Sequence, residues 1–432
     1  MGDLLLKTQR KKDSKRISVR NFSVELDDLT LVYDGTEKTQ TVENVIYDGT
    51  FLEENVDYYL VGNKAINAGT HKLVAVDANY PGVEWEIQKA QGSVTIAEES
   101  ITIYGIANTT ITGTTTYTYV GDGNLSVSSS DETVATAEIN NGILTINSLG
   151  VNGNAVITIT MADGNNYLGE SDSIAVTVII ASSVLADNTP TVIQGIARGG
   201  IGENIWSVGD KTAIIEVGAF ANVVANSTLS AYIIGFNHNS EIEGEGITFL
   251  FGKNSDNNDI CFCDAGYGSY YTSGNYLNMK DSNSNTGGWE SSKMRTTICP
   301  LFLQALPSEW QNIIVETTKY TNNTGGTATE SSITTTNDKI FLLSEYEVLG
   351  TRNYSSSLEY SNGKQAQYDY YKNGNSKMKY KSTSTSTGCL WFLRSPYDTS
   401  SSYFCVINTD GSSSYYSGAY YSRGFAPAFK VA

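Results

Sequence analysis

Between residues 23 and 182 the apolar side chains recur at every second position, in short runs that polar residues interrupt. The runs at 29–33 (LTLVY), 58–61 (YYLV) and 72–76 (KLVAV) are of this kind, and so are those at 134–139 (VATAEI), 143–146 (ILTI) and 155–159 (AVITI). A period of two places alternate side chains on opposite faces of a strand, so each run predicts a half-buried β-strand. Turn signals separate the runs: Asp34-Gly35, Asp48-Gly49, Ala68-Gly69, Pro81-Gly82 and Asn141-Gly142. Asp-Gly and Asn-Gly suit tight hairpins because both tolerate positive φ. Residues 183–200 have the polar texture of a join. From Trp206 onward aromatics and glycines rise and helix signals appear. Ser308-Glu309-Trp310-Gln311 after Pro307 predicts a capping box opening a short helix through Ile313, Ile314 and Val315. Ser344-Glu345-Tyr346-Glu347 predicts another, after the apolar run 340–343. The chain is therefore expected to be multidomain: two all-β sandwiches over residues 23–96 and 97–182, then an α+β domain over 183–432, with a basic tail at 1–22.

Composition sharpens this picture. A chain of 432 residues is too long for one core. Abundant Gly, Thr, Ser, Asn and Tyr with scarce Pro fits a β-dominated protein. The formal net charge of −18 makes a phosphate backbone an unsuitable partner, which excludes nucleic acid. The charge is uneven: seven Lys/Arg face only Asp3 and Asp13 in residues 1–22, whereas residues 97–182 hold no Lys or Arg. The tail has two readings, an anchoring peptide for an acidic partner or a solvated arm. Leu4-Leu5-Leu6 is too short for a secretory core and its charges follow rather than precede it, so the expectation is of a chain made in the cytosol, without membrane insertion. The five cysteines (261, 263, 299, 389, 405) all lie in the last domain. Their odd number argues against a disulfide framework.

Within residues 23–96, the segments Tyr33-Asp34-Gly35-Thr36, Asn67-Ala68-Gly69-Thr70, Asn79-Tyr80-Pro81-Gly82 and Trp85-Glu86-Ile87-Gln88-Lys89 resemble the MBG family of bacterial Ig-like repeats. That resemblance implies that the Tyr and Trp are core residues. In residues 97–182 the run from Ser129-Ser130-Asp131 through Val134-Ala135-Thr136 to Gly142 resembles the group 2 bacterial Ig-like domain. Both resemblances imply spacer modules.

The last domain resembles a family of unknown function found in prophage tail proteins and Gram-positive surface proteins. The segments that carry the match are 206–210 (WSVGD), 234–238 (IGFNH), 288–295 (GWESSKMR), 306–308 (LPS), 338–350 (DKIFLLSEYEVLG), 391–396 (WFLRSP), Asp410-Gly411 and 424–429 (GFAPAF). Phe392 stands where a second Trp is common, and Ala426 where Arg is common. The resemblance implies a C-type-lectin-like scaffold, similar to that of formylglycine-generating enzymes. Such a scaffold presents a variable surface near its C-terminus, in some relatives one diversified by retroelements. Residues 397–423 suit that role, being dominated by Tyr, Ser, Asn, Thr and Gly in the manner of an antibody paratope. The candidate ligand-binding residues are Tyr397, Asp398, Ser400, Ser402, Tyr403, Asn408, Ser414, Tyr415, Tyr416, Ser417, Tyr420, Tyr421 and Ser422.

The implied function is non-enzymatic: a phage virion adhesin of the tail fibre or tail tip, recognising a host cell-surface receptor, protein or glycan. Its tail would meet other virion proteins, and it would assemble in the host cytoplasm as a homo-oligomer, trimers being common on tail fibres. A bacterial surface adhesin and a structural virion decoration are the alternatives. No catalytic, cofactor or metal set emerges. The two histidines, His71 and His238, are read as structural. Cys261-Phe262-Cys263 puts two thiols on one strand face; zinc would need further ligands, for which Cys389 and Cys405 are on offer, but the reading is of small buried thiols. Residues 281–285 (DSNSN) open like a calcium loop, yet Thr286 replaces the required Gly and Ser292 the bidentate Glu, which rejects an EF-hand and leaves only an irregular calcium loop open. Residues 199–202 (GGIG) lack the Lys of a phosphate loop.

Overall fold

A computed structural model describes residues 22–27, 29–75, 82–225 and 227–432. The basic tail lies outside them except for Phe22, as do Val76, Asn79, Tyr80 and Pro81 of the sequence motifs.

Two compact units divide the chain. The first holds residues up to 178 apart from 104–107. It contains two β-sandwich modules. In the first module, strands Phe22–Leu26, Val42–Tyr47 and Thr50–Phe51 form one sheet, and Leu31–Val32, Val83–Gln88, Gly69–Ala75 and Leu60–Val61 form the other. Asp48 and Gly49 both take positive φ in the hairpin between Tyr47 and Thr50. The inward set of alternate residues makes a small core of Val45, Tyr58 and Ala75 beside Leu73, Trp85 and Ile87. Trp85 is a core residue, donating its indole N–H to the Gly62 carbonyl at 2.9 Å. Two expected strands are shorter than their runs: only Leu31–Val32 and Leu60–Val61 pair, while Tyr58 is buried from a bridge. His71 lies within a strand, against the Asn67 carbonyl and the Trp85 ring.

The second module is an Ig-like sandwich of two four-stranded sheets. Strands Ser93–Ile96, Ile111–Val120, Ile143–Ser148 and Ala135–Asn140 face Ser100–Gly105, Glu170–Ile180, Gly153–Met161 and Leu125–Ser129. Ser93–Ile96 pairs with Ile111–Val120, so the module begins before residue 97. Asn141 and Gly142 form the predicted two-residue hairpin, with φ of 48° and 80°.

The second unit holds Ile179–Ala432 together with Tyr104–Ala107. It is α+β, as the pattern implied. The stretch expected as a polar join contains the helix Pro190–Arg198, capped by Thr189 with Pro at its first position; Ile193, Ile196 and Ala197 are buried on one face. The residues 199–202 follow this helix, with Gly199 at its C-cap. The central sheet runs Ser230–Phe236, Ile247–Lys253, Ala428–Val431 and Ile314–Val315, with Ile340–Phe341 also on the C-terminal strand. Every residue of that C-terminal strand is buried. Trp206, Trp289, Trp310 and Trp391 all join the core. Ser344 forms the predicted capping box with Glu347 over the helix Glu345–Leu349, which Gly350 ends at φ 69°. The other box does not form. Ser308 is already inside the helix Ser308–Ile313, Gln311 donates to the Leu306 carbonyl at 2.7 Å, and Ile314–Val315 leaves the helix to pair in the sheet.

Candidate ligand-binding face

The candidate residues hang on a three-stranded antiparallel sheet of Trp391–Pro396, Tyr403–Ile407 and Ser414–Gly418. The first strand is wholly buried, and Arg394 anchors it. Its guanidinium grips Glu347 with two parallel bonds of 2.5 and 2.7 Å. Lys319 links the same carboxylate, at 3.4 Å, to Glu243, at 2.7 Å. Burial alone would raise the Glu347 pKa, but Arg394 and Lys319 overcome it and hold the carboxyl ionised. His238 stacks on Tyr368 at 3.6 Å; burial and the Lys319 charge bring its pKa down to about 3, so it is neutral. Breaking such a pair by removing one partner typically costs about 3–5 kcal/mol.

On this frame the tyrosines gather. Tyr416 lies 4.9 Å from Tyr403, 5.2 Å from Tyr397 and 4.6 Å from Tyr415, between ring centres. Tyr354, which the sequence reading missed, packs edge-on to Tyr397 and Tyr416. A second set joins Tyr420 and Tyr421 to Tyr270, also missed, with ring centres at 5.1 and 6.1 Å. The Arg423 guanidinium lies 5.0 Å from the Tyr421 ring. The two sets meet at Gly418. It pairs with Tyr403, and a Cβ there would stand 3.1 Å from both Tyr420 and Tyr421. Tyr270 is 60 % and Tyr415 46 % exposed, while Tyr397, Tyr403, Tyr416, Tyr420 and Tyr421 are half-buried against one another. The neighbouring Tyr415 phenol raises the Tyr416 pKa.

The polar candidates divide differently from the expectation. Ser414, Ser417 and Ser422 are buried and do not face solvent. Ser414 donates to Glu345, Ser417 accepts from Arg423 at 2.9 Å, and Ser422 donates to Asp264 at 2.7 Å. In strand Ser414–Gly418, Ser414 and Ser417 lie three positions apart and so on opposite faces, yet both are covered, which sequence composition does not reveal. Asp398 accepts the Ala328 N–H at 2.8 Å and so holds its loop. Asn408 sits in the hairpin loop at the far end of strand Tyr403–Ile407, about 16 Å of strand from Tyr403. Ser400 and Ser402 remain half-exposed beside the rings.

Two unforeseen residues fix the loops. Asn285, fully buried, donates to the carbonyls of Ser400 at 2.7 Å and Tyr403 at 2.9 Å, and its backbone N–H donates to Ser401 at 2.7 Å. The segment 281–285 thus carries a clamp on the loop, and Asp281 pairs with Lys293. Glu345 accepts from the backbone of Tyr354 and Ser355 as well as from Ser414. Only the Asx-rich run around 281–285 hinted at a loop organiser.

Among the described residues, two buried clusters carry metal-ligand side chains: Cys261, Cys263 and Cys389, and His238, Glu243 and Glu347. Cations already occupy the second. Cys389, one of the two partners that the sequence offered, joins the first; Cys405 does not, its thiol facing the Pro396 carbonyl.

Comparison with known proteins supplies little identity. The family described as "Domain of unknown function (DUF6273)" matches residues 267–432. No curated protein matches the chain. Domains 4 and 5 of the S-layer protein SbsC are 18 % identical over 36 % of this chain and 99 % of that one, with a TM-score of 0.17. The titin Ig tandem A164–A165 gives 11 %, 37 % and 96 % with 0.16, and fibronectin(III)-like modules of Clostridium thermocellum CbhA give 16 %, 37 % and 95 % with 0.17. The sandwich assignment rests on the sheets described above, and residues 267–432 are similar in sequence to a domain family whose function is unknown.

Proposed function

We propose that the chain is a phage virion adhesin of the tail fibre or tail tip, binding a host cell-surface receptor, protein or glycan, through the tyrosine face of a C-type-lectin-like domain. The observation that carries this reading is the convergence of Tyr270, Tyr354, Tyr397, Tyr403, Tyr415, Tyr416, Tyr420 and Tyr421 on a rigid, charge-locked frame. Tyr offers wide amphipathic contact with few torsions to freeze, and pre-organised aromatics lose little entropy on binding. The centrally placed C-terminal strand, with irregular loops leading to it, is in keeping with the lectin-like scaffold. The β-sandwich modules suit a stalk. The basic tail would engage other virion proteins, and the assembled form would be a homo-oligomer made in the host cytoplasm. Among the described residues no helix is long and apolar enough to cross a membrane.

The test is binding of the labelled full-length chain to a panel of bacterial strains. On a strain that binds it, the double variant Tyr270→Ser, Tyr415→Ser should lose at least tenfold in affinity, since aromatic hot spots are worth about 2 kcal/mol or more each. Its melting temperature should stay close to that of the parent, because these are the two most exposed rings of the set. Wild-type affinity in the double variant, or no binding to any strain, would remove the reading.

A further inference from the structure

Three thiols from two distant stretches of sequence meet in the core of the second unit. Cys261 Sγ lies 2.6 Å from Cys389 Sγ, Cys263 Sγ lies 3.6 Å from Cys389 Sγ, and the two strand neighbours are 4.0 Å apart. All three are buried. Gly424 closes the cluster from above: a Cβ there would stand 2.5 Å from Cys389 Sγ and 2.6 Å from Cys261 Sγ, so nothing larger fits. Lys379 and Lys381 flank Tyr380, whose carbonyl faces Cys261 Sγ at 3.4 Å; Lys379 is 1 % exposed, and Lys381 lies over the Tyr267 ring at 4.3 Å. Cys263 also lines a cavity of about 270 Å³ between residues 222–225 and Ser382-Thr383, which gives the cluster an entry path.

We propose that Cys261, Cys263 and Cys389 form a binding site for one zinc-class divalent ion, held as three thiolates. Zn–S bonds of about 2.3 Å place tetrahedral ligand sulfurs about 3.8 Å apart. The two longer separations already match this. Binding would widen the third, where two unbonded sulfurs are crowded. Three S–H bonds break, three protons leave to solvent and three S–metal bonds form, with no electron transferred. The resulting complex carries a single negative charge. Among the described residues no fourth Cys, His or carboxylate completes the set, so the last position falls to a water or small ligand reached through the cavity. A Cys261–Cys389 disulfide is the competing fate, and it would leave Cys263 outside the bond.

The experiment titrates Co²⁺, then Zn²⁺, into the full chain kept reduced with a phosphine. One equivalent of Co²⁺ should produce a thiolate-to-metal charge-transfer band that Zn²⁺ abolishes. Cys263→Ser should weaken binding at least tenfold, and Cys299→Ser, outside the cluster, should not. Absence of the band in the wild-type chain overturns the site whether or not any variant folds. So does unchanged affinity in Cys263→Ser, or a mass two hydrogens lower locating a Cys261–Cys389 disulfide in the reduced preparation.

Discussion

Glu359 shows how much a single buried group can report. It is 1 % exposed, and among the described residues its carboxylate accepts only the Asn322 N–H at 2.9 Å and the Ser395 hydroxyl at 2.6 Å. Burial raises its pKa from 4.5 to about 7, against those two bonds and the pull of Arg394. The folded state therefore holds the proton more tightly than the unfolded chain. The stabilisation is complete below the unfolded value of 4.5 and is lost as pH rises through about 7. Glu359→Gln removes that dependence while keeping a neutral, hydrogen-bonding side chain. The melting temperature of the variant should gain on that of the parent between about pH 5 and about pH 8, measured by calorimetry. A constant difference across that range would show that Glu359 is already ionised at the lower end. His238, whose folded pKa falls from 6.5 to about 3, has the opposite sign, with stability lost as pH falls; comparing variant with parent cancels it.

At the scale of elements, the strand Ser414–Gly418 lies at the sheet's edge and decides which hydroxyls point where. Its partner register, Tyr403 to Gly418 and Cys405 to Tyr416, sets Tyr403 and Tyr416 diagonally on one face. Gly418 is the joint between the two ring sets. Gly418→Ala would bring a methyl 2.6 Å from Asn283 Oδ1 and 3.1 Å from the Tyr420 and Tyr421 rings. The rings must shift by tenths of an ångström. We expect the variant to fold with a near-UV circular dichroism spectrum altered in the tyrosine region, and to bind cells at least threefold more weakly. An unchanged spectrum and affinity would mean that the two sets act independently. The helix Glu345–Leu349 serves the same face from below. Its capping box orients Glu347 toward Arg394, while Glu345 holds the Tyr354 backbone.

For the molecule as a whole, every ring of the proposed face and every residue of the frame lies within the second unit. That unit has one continuous core, from Ala181 and Ile193 to Phe429 and Val431. A fragment of residues 179–432 should melt cooperatively and bind cells with the affinity of the full chain per binding site. Tyr104, whose ring stands 2.1 Å from where a Gly195 Cβ would be, belongs to the same unit. Its absence from the fragment should lower the melting temperature by a few degrees without altering affinity. Aggregation of the fragment, or a broad non-cooperative transition, would show that the sandwich modules contribute to its folding.

What the sequence determined by itself was local. Period-two runs with Asn-Gly and Asp-Gly turns specify strands and hairpins because the pleat and the sign of φ are properties of adjacent residues. The Ser344–Glu347 cap was legible for the same reason, as was the aromatic and hydroxyl texture of residues 397–423. Where local signals were ambiguous, the tertiary structure decided. Ile314 and Val315 had helical neighbours but an open place beside Ala428–Val431, and the sheet claimed them. The face itself depends on contacts between residues far apart in the chain. Tyr270 and Tyr354 reach the rings from outside the Tyr-rich segment, and Asn285 clamps a loop more than a hundred residues ahead. Cys389 meets Cys261 across 128 positions. Such pairings leave no mark in local composition, because loop closure and sheet register, rather than the identity of neighbouring residues, decide which side chains meet.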